Sequence, residues 1–116
     1  MTDYTIYHNP RCSKSRQTLA LLNENGIDPE IVLYLENGPS ASDLRTLIEK
    51  LSVSARALLR KGEDAYKELA LADQKLTEEQ LISAMVKRPK LIERPIVTKG
   101  DKAVLGRPPE NVLDLI

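Results

Sequence analysis

The chain has 116 residues, 41% of them hydrophobic, which fits one domain with a real core. Its 17 basic and 17 acidic residues cancel, so no global electrostatic drive toward nucleic acid or membrane is expected. A single cysteine excludes an internal disulfide and any cysteine-rich zinc site. Aromatic residues are few, four Tyr with no Phe or Trp, so Leu, Ile, Val and Ala must fill the core. Met1 to Tyr4 carry no basic stretch ahead of an apolar one, and no apolar run nears the roughly 20 residues of a membrane span. A reduced, cytoplasmic setting is therefore expected, and a cycling thiol would need a second thiol from elsewhere.

Tyr4-Thr5-Ile6-Tyr7 reads as a first strand, and a helical run carrying Leu19, Leu21 and Leu22 ends at Asn25-Gly26, where Gly26 suits a left-handed residue. Between them, in a strand-to-helix turn, lies His8-Asn9-Pro10-Arg11-Cys12-Ser13-Lys14-Ser15-Arg16. A helix N-terminus leaves N–H groups unpaired and carries partial positive charge, a setting that lowers a thiol from about 8.5 into a range of roughly 3.5–7.5. Arg11, Lys14 and Arg16 surround Cys12 with cations, and Ser13 and Ser15 can add donors to a bound anion. Lone cysteines are commonly small buried hydrophobes. The charged and polar neighbours here point instead to a reactive thiolate beside an oxyanion site.

Ile31-Val32-Leu33-Tyr34-Leu35 is a β-branched-rich second strand, which the βαβ rule makes parallel to the first. A helical middle follows. Ser40 with Asp43 forms a capping box ahead of Leu44, Leu47, Ile48 and Leu51 at helical spacing. Arg56-Ala57-Leu58-Leu59-Arg60 predicts a short helix near Lys61-Gly62, and Ala65 to Leu71 another turn or two. Thr77 with Gln80 caps a helix whose apolar stripe is Leu81, Ile82, Met85 and Val86, stopping by Arg88 because of Pro89. Pro95-Ile96-Val97-Thr98 and Ala103-Val104-Leu105 flank Lys99-Gly100-Asp101-Lys102 as an antiparallel hairpin, and Val112, Leu113 and Leu115 mark a last short helix. The fold class is α/β with a mixed sheet: βαβ, a helical insertion over about residues 40–90, then ββα, in a single domain of residues 1–116.

Arg60, Arg94 and Arg107 are each, taken singly, ordinary solvated charges. Arginine is also the side chain best suited to a tetrahedral oxyanion, because its planar fork offers two parallel donors. Together with the motifs Ile6-Tyr7-His8-Asn9-Pro10, Cys12 with Ser15-Arg16, Arg56 to Lys61, Leu91-Ile92 with Arg94-Pro95-Ile96-Val97, and Arg107-Pro108, the chain resembles the glutaredoxin-coupled arsenate reductase (ArsC) family. The likeness runs over nearly the whole chain and implies a thioredoxin-like fold, in which a cis proline at a strand start, here Pro95, recurs. It implies Cys12 as the nucleophile on arsenate, Arg60, Arg94 and Arg107 as oxyanion ligands, and His8, Asn9, Ser15, Arg16 and Pro95 as supporting residues.

Glutathione would be the co-substrate and glutaredoxin the partner of a monomer, with no bound cofactor, metal, nucleic acid or membrane. Ser13-Lys14 departs from the small pair of familiar members, and the chain stops at Ile116 without their C-terminal extension. Two alternatives share the fold. One is an ArsC-like thiol redox protein without physiological arsenate activity; the other is an Spx-like regulator that binds RNA polymerase. Many Spx proteins carry a CxxC pair whose second position is Ser15 here, which favours the enzyme.

Overall fold

The computed structural model describes residues 3–116. They form two compact units: residues 3–37 with Arg94–Ile116, and Gly38–Glu93.

The first unit is built on a four-stranded sheet. Its strands are β1 (Tyr4–Tyr7), β2 (Glu30–Val32), β3 (Ile96–Lys99) and β4 (Lys102–Leu105), in the order β2-β1-β3-β4. β2 lies parallel to β1, the pairing that a crossover through helix α1 (Ser13–Glu24) allows. β3 runs antiparallel to both β1 and β4. In register, Ile6 opposes Val97 and Val97 opposes Val104, so these three side chains share one face. Leu22 of α1 and Val112 and Leu115 of a terminal 3-10 segment (Pro109–Leu115) close over that face, with Ile6, Leu22, Val97 and Val112 wholly buried. Each such aliphatic side chain contributes about 1.5–3 kcal/mol through its removal from water. α1 ends as expected, on Gly26 at φ +77°, with the Ile27 N–H on Leu22 O. The β3–β4 loop is the two residues Gly100 and Asp101, since Lys99 and Lys102 still pair. Gly100 supplies the positive φ such a turn needs.

β2 is shorter than the sequence suggests. Leu33 O accepts from the N–H groups of both Glu36 and Asn37, which turns the chain directly after Val32. The apolar run from Ile31 to Leu35 is therefore not one pleated surface: Tyr34 is buried, whereas Ile31 and Leu35 are exposed.

The second unit holds α2 (Ala41–Leu51), α3 (Asp64–Glu68) and α4 (Glu78–Lys87). Both capping boxes form, Ser40 with Asp43 and Thr77 with Gln80, each satisfying two otherwise unpaired N–H groups. Leu44 and Leu47 of α2 and Leu81, Ile82 and Met85 of α4 are buried. Val86, placed on the stripe by its spacing, is exposed. α4 stops at Lys87, ahead of Pro89. The Arg56–Arg60 helix is a 3-10 turn over Arg56–Leu58 only. Leu59 pairs with Ile92 as an antiparallel bridge, Arg60 N–H donates to Leu91 O, and Glu93 N–H donates to Leu58 O. This pairing holds Leu59 in extended backbone (φ −77°, ψ 138°) before a helix can propagate.

Candidate active site

The turn after β1 is held by its own hydrogen bonds. Cys12 N–H donates to Asn9 O (3.0 Å), and Arg11 N–H donates to Asn9 Oδ1 (3.0 Å). Cys12 is the N-cap of α1, in extended backbone at φ −92° and ψ 123°. An N-cap side chain faces the free N–H groups of the first turn, which here are those of Lys14 and Ser15. No acidic residue occupies that turn, so the positive end of the helix is left to another anion.

The half-buried Cys12 side chain makes no capping hydrogen bond. Burial by itself pushes its pKa up. The Ser15 N–H, the Arg94 guanidinium and the Lys14 N–H stabilise the ionised sulfur and outweigh burial, so the thiol titrates below its ordinary value. The helix terminus thus acts as its position suggests. The cation that matters is Arg94 rather than the sequence neighbours Arg11, Lys14 and Arg16. Arg16 Nη1 donates instead to Pro10 O (2.9 Å) and ties the loop.

Ser15, expected to offer its hydroxyl to an anion, is wholly buried. Its Oγ accepts from the Asn9 N–H (3.1 Å) and shares a 2.6 Å hydrogen bond with His8 Nδ1. His8 is buried too. Burial, and after it the positive charge of Arg16, hold its pKa below the usual value, so the ring is neutral at pH 7. His8, Asn9, Ser15 and Arg16 thereby brace the turn that presents Cys12.

Arg94 precedes Pro95 at the start of β3, and Arg107 precedes Pro108 after β4; both peptide bonds are cis. Arg107 Nη1 donates to Arg94 O (3.2 Å). Cys12, Arg94 and Arg107 are thus linked within the first unit. Arg60 belongs to the second unit, where its Nε lies 3.7 Å from Glu63 and 4.0 Å from Glu93. Its Nη1 is buried without a hydrogen bond. Among the described residues no group of three or more His, Cys, Asp or Glu is placed to hold a metal, and no helix is long and apolar enough to cross a membrane.

Three residues that shape this site were not singled out by spacing. Gly106 N–H donates to Pro95 O (2.9 Å), and a Cβ on Gly106 would sit 2.6 Å from Thr18 Oγ1 and 2.8 Å from Pro95 Cγ. Thr18, on α1, is wholly buried against it. Asn111 Nδ2 donates to Leu105 O (3.0 Å) and Arg107 O (3.2 Å), clamping the turn that carries Arg107. A glycine at a strand end is the one sequence signal for such a close approach.

A family model, that of the ArsC family, matches residues 7–115. The YfgD protein of Escherichia coli K12, itself uncharacterized, is 62% identical over 112 residues, covering 96% of this chain and 94% of its own. An arsenate reductase of Escherichia coli is 48% identical over 116 residues, 100% of this chain and 82% of that one. Among solved structures, an arsenate reductase from Vibrio cholerae superposes with a TM-score of 0.95 at 50% identity, covering 97% of each chain.

Proposed function

The chain belongs to the ArsC family, and from that premise we propose that it is an oxidoreductase that reduces arsenate to arsenite through Cys12. The observation that carries this reading is the place of Cys12 at a helix N-terminus with the Arg94 guanidinium beside it, a setting that favours the thiolate. The thiolate attacks arsenic and an oxygen leaves as water, giving a Cys12–S–As(V) adduct. Arg94 and Arg107 neutralise the oxyanion and the charge that develops as the oxygen departs. Arg60 takes the same part on the strength of its motif, Arg56 to Lys61, and of its buried, unbonded Nη1.

Cys12 is the only cysteine in the chain, so the second sulfur of a two-electron reduction comes from outside. Glutathione supplies it: the S–S bond to Cys12 forms, the S–As bond breaks, and its electron pair leaves with arsenic as As(III). Glutaredoxin clears the resulting mixed disulfide, a cycle suited to the reducing cytoplasm. Incubation with arsenate and glutathione, without glutaredoxin, is expected to leave one glutathione on Cys12 by intact-mass measurement and to release arsenite. Cys12→Ser is expected to do neither; arsenate reduction persisting in that variant overturns the mechanism.

A further inference from the structure

A cavity of about 290 Å³ opens one residue before Cys12. One wall is the loop from His8 to Arg11; the other is Leu33, Leu35 and Glu36, brought there by the turn at Leu33 that cuts β2 short. Its size stands at the small end of the roughly 300–1,000 Å³ of small-molecule sites. Among the described residues, neither the Arg11 guanidinium nor the Glu36 carboxylate makes an ion pair or a side-chain hydrogen bond. One wall thus offers a free cation, the other a free anion, with leucine surface beside the anion. The oxyanion itself does not suit this cavity, because Glu36 repels it and neither Arg94 nor Arg107 lines the walls.

We propose that this cavity seats the thiol co-substrate, a zwitterionic tripeptide of the glutathione class, with its ammonium group on Glu36 and a carboxylate on Arg11. The proposal deepens the reading of the chain as a glutathione-dependent reductase and rests on it. Seated there, the tripeptide brings its sulfur to the residue next to Arg11. Its thiolate attacks Cys12 Sγ, the S–S bond forms, and the S–As pair departs with arsenic. Small uncharged thiols gain nothing from either wall, so the cavity selects among reductants.

The test needs no arsenate. Cys12 thiolate is reacted with glutathione disulfide and, separately, with the uncharged hydroxyethyl disulfide; one S–S bond forms, one breaks, and a thiolate leaves. Intact mass follows both reactions, and the ratio of the two rates cancels any change in Cys12 reactivity. Glu36→Lys and Arg11→Glu are each expected to lower that ratio by about tenfold, the loss of one charge-assisted contact. Glu36 is exposed, and the turn's hydrogen bonds are made by backbone, so the substitution leaves the fold in place. An unchanged ratio in both variants overturns the proposal, even where wild-type protein reduces arsenate with glutathione. A wild type that reduces no arsenate with any thiol, yet shows the lowered ratio in Glu36→Lys, overturns the parent reading alone.

Discussion

At the scale of single residues, the site turns on how one sulfur is kept ionised. Burial opposes the thiolate; two first-turn N–H groups and Arg94 favour it and prevail. Alkylation of Cys12 is therefore expected to reach half its limiting rate below the ordinary thiol value of about 8.5. Arg94→Ala raises that midpoint and lowers arsenate turnover by about a hundredfold or more, whereas Lys14→Ala, which keeps the helix N–H groups, leaves the midpoint nearly in place. A midpoint that follows Lys14 and ignores Arg94 would assign the effect to the wrong cation.

His8 makes a separate prediction, on stability. Its folded pKa is depressed, so just below the unfolded value of about 6.5 the unfolded chain binds a proton that the folded chain does not. Stability then rises with pH across this interval and is lost as pH falls from about 6.5 through the folded value. His8→Gln keeps a hydrogen-bonding group and removes that part of the slope, which denaturant midpoints at about pH 5 and about pH 7 will show.

Among elements, α1 and the β3–β4 hairpin are joined at Gly106. Its backbone lies between Thr18 and the Pro95 ring, both buried, with no room for a methyl group. Gly106→Ala is expected to cost about 1–3 kcal/mol by overpacking, read as a lower denaturant midpoint. Gly62→Ala serves as the control, since a Cβ there meets nothing within 4 Å and Gly62 has no positive φ. A midpoint for Gly106→Ala equal to that of the control would show that Thr18 and Pro95 can yield. The same approach keeps Arg94, Arg107 and the helix bearing Cys12 in register, so the variant should lose turnover at temperatures where it remains folded.

For the whole molecule, length argues for one domain although the chain forms two compact units. We propose that both units unfold in one cooperative transition. The means to check it are built in: α2, α3 and α4 lie in Gly38–Glu93, while Tyr4, Tyr7 and Tyr34 lie in the other unit. Far-ultraviolet circular dichroism therefore weights one unit, and tyrosine fluorescence the other once Tyr66, the fourth tyrosine, is replaced by Leu. Coincident denaturant curves are expected. Two separated transitions would make Gly38–Glu93 an independently folding domain.

Sequence alone determined what short-range pattern controls. The strand–turn–helix around Cys12, both capping boxes, the stop before Pro89, the left-handed Gly26 and the β3–β4 hairpin each depend on a few adjacent residues and their backbone preferences. The motifs also offer Arg60, Arg94 and Arg107 as candidate oxyanion ligands. Tertiary structure alone decided which donors each group meets. Arg94 reaches Cys12 because β3 enters the sheet beside β1, while the cations flanking Cys12 in sequence serve the loop or solvent. Ser15 points inward to His8, Leu33 ends β2 by a turn, and Leu59 is extended because it bridges to Ile92. In each case the local sequence is compatible with two backbone or side-chain directions of similar energy. For Arg94 and for the Leu59 bridge to Ile92 the deciding partner is distant in sequence, and only the folded chain brings it within reach.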